Sequence, residues 1–388
     1  MAVLDGLSRV AQSDPATTKL LRGRRVGLLA HPASVDRELR HAEALLPQVG
    51  ASLRAIFGPE HGYSGQAQYM VGVASTAGAV PVYSLYGDSF EDLSPTLAQL
   101  AGLDAVVVDL QDVGSRYYTF VWSMALMLRA CAAAGVQCIV LDRPNPLGGV
   151  LLEGAPQRAG YRSFVGLYDV PVRHGMTIGE LARMVLELEQ LPAESLAVVP
   201  MLGWQRELDF RATGLPWVLP SPNMPTPETA QVYPGGCLLE GTNLSEGRGT
   251  TRPFEIFGAP FVDGGQLARS LLFAGGALRP LQFEPTFHKF ARQTCGGVQV
   301  HVTDAAQFRS YSLYLRAIAQ VSRSAPEAFS FRTEPYEYVA DRPAIDLLTG
   351  GPEFRQVAAS ETALEDYLQA QAQPEREFAE QRRRWLLY

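Results

Sequence analysis

The first half of the chain alternates short, uninterrupted apolar runs with longer amphipathic stretches, and that rhythm leaves little choice of fold. Runs such as Val106-Val107-Val108 and Cys138-Ile139-Val140-Leu141 have no polar face. Strands of that kind are buried on both sides, as in a parallel sheet covered by helices. The pattern predicts strands at Arg25–Ala30, Leu53–Phe57, Val80–Ser84, Ala105–Leu110 and Gln137–Leu141, with a later one at Leu196–Met201. It predicts helices at Arg37–Val49, Ser94–Ala101, Tyr118–Ala134 and Thr177–Gln190. The C-terminal part is more mixed, with helices expected at Gly264–Phe273, Ala305–Arg323 and Glu361–Trp385 and a strand at Gly297–Val302. The fold class is therefore α/β with a mostly parallel sheet. At 388 residues the chain is long for one core, so two domains are expected.

Composition narrows the partners. The net charge is −7, which argues against binding to a nucleic-acid backbone or an anionic membrane surface. Lys19 and Lys289 are the only lysines, so nearly all positive charge is arginine. Cys131, Cys138, Cys237 and Cys295 form no C-x-x-C pair and read as core thiols. The first 25 residues lack a continuous apolar segment, and no run reaches about 18 apolar residues. A cytoplasmic location and no membrane segment are the expectation.

In open α/β sheets ligands bind beyond the carboxyl ends of the strands. Here those ends are followed by His31-Pro32-Ala33-Ser34, Gly58-Pro59-Glu60-His61-Gly62, the group Gln111, Asp112, Arg116 and Tyr117, and Asp142-Arg143-Pro144-Asn145-Pro146. A long stretch, Pro220–Phe261, adds Asn223, Glu240, Asn243, Glu246, Arg248, Arg252 and Glu255 among many glycines and prolines. Long ordered loops are commonly binding or catalytic, so this stretch reads as an active-site loop.

Several chemistries are excluded by what the motifs lack. The first strand–helix turn has no glycine, so a dinucleotide pyrophosphate has no cradle there. Gly247-Arg248-Gly249-Thr250-Thr251 lacks the lysine of a phosphate-binding loop, and neither H-E-x-x-H nor G-x-S-x-G occurs. No cofactor or metal is expected.

Carboxylate chemistry remains. Glycoside cleavage generally uses one acid to protonate the leaving oxygen and a second carboxylate as nucleophile or base. Glu60, at a strand end between Pro59 and His61, is the acid candidate, and Asp112 and Glu246 compete for the second role. Each has a plainer use: Glu60 as a turn residue, Asp112 as a helix cap, Glu246 as a partner of Arg248 or Arg252. His61 and His174 suit structural roles equally well, and Asp142–Arg143 suits an internal ion pair. Tyr117 is the aromatic expected to face a sugar ring. Two other classes compete: a non-catalytic sugar-binding protein, and a metal-dependent hydrolase with Glu60, His61, Asp112 and His174 as ligands.

The motifs GPEHG at 58–62, DLQDVGSRYYTF at 109–120, VLDRPNPLGG at 140–149, RHGMTIGELA at 173–182, PSPNMPTPETAQVYPG and EGTNLSEGRGTTRPFE resemble a single bacterial family. It is the NamZ-type family of exo-β-N-acetylmuramidases of cell-wall recycling, formerly a domain of unknown function. The resemblance runs from about Arg24 to Tyr388. It implies a Rossmann-like domain without a nucleotide (residues 1–220), a smaller α+β domain (221–388), and an active site in the cleft between them. It also implies a glycosidase that releases N-acetylmuramic acid from the non-reducing end of peptidoglycan-derived saccharides. Such a substrate carries a lactyl carboxylate, for which Arg116, Arg143, Arg248 and Arg252 are available. Its acetamido and hydroxyl groups call for amides and carboxylates such as Asn145, Asn223, Asn243 and Glu240.

Overall fold

The computed structural model describes residues 3–65 and 80–388. The expected sheet is present. Six described strands, β1 (Arg25–Ala30), β2 (Ser52–Gly58), β3 (Val82–Ser84), β4 (Ala105–Asp109), β5 (Gln137–Leu141) and β6 (Leu196–Val199), pair in the order β3-β2-β1-β4-β5-β6. Every pairing is parallel. β4 is buried along its whole length, as its unbroken apolar run requires. Helices Phe120–Ala134 and Ile178–Leu188 cover the sheet, and Thr177 opens the second with a capping box to Glu180.

A second sheet follows, with β7 (Ile256–Ala259), β8 (Gly276–Phe283) and β9 (Cys295–Val302) in the antiparallel order β7-β9-β8. β8 has no continuous apolar run, and its Pro280 cannot donate to a ladder, so it lies at an edge. One hydrophobic cluster runs from Val108 and Trp122 through Tyr233 to Phe257 and Tyr314, joining the two sheets' surroundings.

Three expectations need correction. The helix expected over Arg37–Val49 is only Ala42–Leu45 followed by a tight turn at Pro47–Val49. Asp36 accepts from the amides of Glu38 and Arg40, a local alternative to helix, and His41 caps Ala42–Leu45 instead. The long helix expected at Glu361–Trp385 divides into Glu361–Ala370 and Ala372–Arg382, where Pro374 sits in the first turn of the second.

The third correction concerns Pro220–Phe261, which is not one loop. It contains the helix Pro227–Gly236, with Thr226 as its cap and Pro227 in its first turn, then a short 3₁₀ segment at Cys237–Gly241. Gly235 and Gly236 lie at its end because there is no room for more. A Cβ on Gly235 would sit 2.3 Å from the Ser310 carbonyl oxygen of helix Ser310–Ser324.

Candidate active site

The strand order reverses between β1 and β4, and ligands of open α/β sheets usually sit at that reversal. Protein fills it here. Buried His31 accepts from the Gln111 amide at 3.0 Å through Nε2, and its Nδ1 lies 3.3 Å from the Pro220 carbonyl oxygen. Burial, reinforced by the Arg143 charge, holds the His31 imidazole well below its ordinary pKa, so it stays neutral. The open cleft is displaced toward the end of β2.

That cleft is narrow and lined chiefly by polar and aromatic side chains. β2 ends in a turn in which the Gly62 amide reaches the Pro59 carbonyl at 2.9 Å and His61 takes φ +69°. Gly58 must be glycine to enter it, because a Cβ would lie 2.4 Å from the Tyr63 nitrogen. The turn presents Glu60, whose Oε2 accepts from the Thr119 hydroxyl at 2.6 Å. His61 Nε2 lies 3.9 Å from Glu60 Oε1. Tyr117, Tyr118, Thr119 and Phe120 supply one wall, and Ser221, Asn223, Met224 and Tyr233 another.

The same cleft holds an anchored charge network. Arg248 donates to Glu240 at 2.6 Å, and Tyr336 donates to the other Glu240 oxygen at 2.8 Å. The guanidinium lies 5.4 Å from the Phe254 ring centroid, over its face. Behind it, Glu246 is fully buried, with His288 Nδ1 at 2.9 Å, Lys289 Nζ at 3.0 Å and Arg248 Nε at 3.3 Å. Burial alone would raise the Glu246 carboxyl, but Lys289, Arg248 and His288 outweigh it and hold the group far below the carboxylate range.

The structure thus brings Glu60, His61, Tyr117, Asn223, Glu240 and Arg248 to one cleft. The other sequence candidates lie elsewhere. Asp112 accepts from the Gly114 amide and pairs with His174 at 3.3 Å, both buried. Arg116 is spent on the carbonyls of Ala155, Val170 and Leu348, and Arg143 binds Asp109 bidentately with Asp5 nearby. Asn145 bonds the Met176 carbonyl and the Leu147 amide. Asn243 ties to Ala328 and Ser330 beside a separate hollow that Lys289 also lines. Asp142 does not pair with Arg143's guanidinium; it accepts from Thr177, the Gly179 amide and Tyr388. Among the described residues no three His, Cys, Asp or Glu side chains converge as metal ligands.

Of the cleft residues that escaped the sequence reading, Tyr336 and Glu337 bear ionisable groups on one short segment. Their segment, Pro335-Tyr336-Glu337-Tyr338-Val339, carries no turn signature, although a lone acid between two tyrosines was there to be noticed.

The family model for the N-terminal part of exo-β-N-acetylmuramidase NamZ matches residues 26–228, and that for its C-terminal part matches residues 231–388. The chain belongs to the NamZ family. Peptidoglycan β-N-acetylmuramidase NamZ of Bacillus subtilis (strain 168) is 41% identical over 381 residues, covering 96% of this chain and 89% of that relative. Two solved structures of DUF1343 family proteins from Bacteroides fragilis NCTC 9343 are similar throughout. One has a TM-score of 0.85 at 31% identity and the other 0.75 at 26%, each match covering 100% of this chain and 99% of the other. The NamZ family frame therefore extends over both sheets and the cleft.

Proposed function

We propose that this cleft performs the family's reaction, hydrolysing the β-glycosidic bond of an N-acetylmuramic acid residue at the non-reducing end of peptidoglycan-derived saccharides. The observation that carries the reading is the pairing, within one cleft, of Glu60 with a fixed guanidinium, Arg248. A carboxyl serves bond cleavage. A guanidinium matches the lactyl carboxylate that distinguishes muramic acid from glucosamine. Of the four arginines that the sequence offers for that group, Arg248 is the one that lines the cleft. Asn223, Tyr117 and His61 line the same cleft, and their side chains suit hydroxyl and acetamido groups.

Discrimination follows from a pairing that only the carboxylate-bearing sugar can make. A ligand without the carboxylate forgoes the charge-assisted hydrogen bonds that Arg248, already held by Glu240 and Glu246, can still offer it. The test is turnover of a nitrophenyl β-N-acetylmuraminide beside the matching N-acetylglucosaminide. Cleavage of the first with little of the second is expected. Equal rates on both, or no cleavage of either, would sink the proposal.

A further inference from the structure

We propose that Glu337 is the catalytic carboxyl that gives the proton to the leaving oxygen, with Glu60 as the carboxylate facing the anomeric carbon. The assignment rests on the reading that the cleft cleaves muramic acid glycosides, and it reverses the role that sequence alone suggests for Glu60.

Geometry comes first. Tyr336 and Val339 exchange both backbone hydrogen bonds, at 2.9 and 3.0 Å, so Glu337 and Tyr338 form the centre of a two-residue hairpin turn. Both take positive φ, +46° and +65°. Turns of this kind favour Asn-Gly or Asp-Gly, and two bulky side chains there are strained. Packing holds the turn regardless: Tyr338 donates to the Gly87 carbonyl at 2.9 Å and meets Phe90 and Tyr86 edge-on, while Tyr336 is bonded to Glu240. The result is a carboxyl in the cleft that is only 8% exposed and whose Oε2 has no hydrogen-bond partner among the described residues. A buried, unsatisfied carboxylate oxygen is costly, whereas a protonated carboxyl is far less so.

The electrostatics agree. Burial, then the charges of Glu60 and Glu240, push the Glu337 carboxyl well above its ordinary pKa, against the smaller pull of Arg248 and Arg332. The phenols of Tyr86, Tyr336 and Tyr338 also face it and are themselves pushed up, first by burial, so they remain neutral. Glu60, by contrast, has a hydrogen-bond donor of its own, the Thr119 hydroxyl. Two carboxyls whose surroundings differ in this way divide into acid and base.

In the reaction Glu337 gives its proton to the glycosidic oxygen as the C1–O bond breaks, and the second sugar departs as an alcohol. Glu60 faces the positive charge developing at C1. One water completes hydrolysis: its hydroxyl goes to C1 and its proton returns to the carboxyl pair, which ends with one proton and one charge, as it began.

The leaving group tests this. A nitrophenolate departs without a proton, whereas a sugar alkoxide needs one. Glu337→Gln should lower kcat on a muramyl disaccharide by about 10²–10⁴-fold, yet change nitrophenyl muraminide turnover by less than about tenfold. Glu60→Gln should lower both by about 10² or more. A Glu337→Gln enzyme that loses both substrates equally, or neither, overturns the assignment. Wild-type enzyme gives a reading that needs no variant. Its kcat/KM should fall on the alkaline side for the disaccharide and not for the nitrophenyl substrate, and identical alkaline limbs would overturn the proposal. Wild-type enzyme inert toward both substrates would instead refute the hydrolase reading beneath it.

Discussion

Replacing Glu246 by glutamine separates a carboxylate that reacts from one that holds its neighbours in place. The side chain is fully buried and touches three basic side chains, His288, Lys289 and Arg248, between 2.9 and 3.3 Å. Gln keeps the shape but takes the carboxylate from Lys289 and leaves Arg248 with Glu240 alone. Breaking a buried pair in this way typically costs about 3–5 kcal/mol, so urea unfolding at pH 7 should show a loss of that size. The pH dependence carries a sign. The Glu246 carboxyl titrates lower in the folded protein than in the unfolded chain. Its contribution is therefore complete above the unfolded value of about 4.3 and is lost as pH falls below it. One unit below that value the gap between wild type and variant should have narrowed by about 1.4 kcal/mol. A variant within about 1 kcal/mol of wild type at pH 7, or a gap independent of pH, would refute this account of Glu246.

Arg248→Met should raise KM for muraminides about 10–150-fold, the equivalent of losing a charged hydrogen bond of about 1.5–3 kcal/mol, and barely alter any residual glucosaminide turnover; parallel kinetics on both sugars check it. Gly235→Ala should destabilise the protein by about 1–3 kcal/mol in urea unfolding, because the new methyl meets the Ser310 carbonyl and the Tyr314 ring. Activity should survive exhaustive dialysis against EDTA, and loss on chelation restored by one divalent ion would promote the metal-hydrolase alternative. Asp142→Asn should flatten the decline of stability with rising pH. Burial, then Glu180, lifts the folded Asp142 carboxyl to about 7, so its stabilising proton is present at low pH and lost as pH rises through that value.

What sequence revealed and what it hid follow from the range of the interactions involved. β1 and β5 have their expected bounds because every position after their first residues, Arg25 and Gln137, is buried and nonpolar. Glu60 was legible because the ends of such strands are where an α/β protein exposes chemistry. The arginines were not. Arg116, Arg143 and Arg248 look alike in sequence, and their fates are decided by groups distant in the chain, such as Leu348 for the first and Asp5 for the second. Helix Pro227–Gly236 was obscured by its own Pro234, Gly235 and Gly236; Gly235 serves close approach to Ser310 and Gly236 to Phe254 rather than helix propensity. Glu337 was hidden because its turn uses residues that local preference disfavours, so only tertiary packing accounts for it.

The cleft draws Glu60 from the second strand of the chain and Glu337 from near its far end. Neither stretch carries both carboxyls, so a nascent chain leaving the ribosome is enzymatically silent until its last quarter has been made and has closed over the first sheet. Turnover is for that reason a readout of completed long-range folding. A single nick between the two stretches that lets them drift apart should extinguish it before the parallel sheet melts.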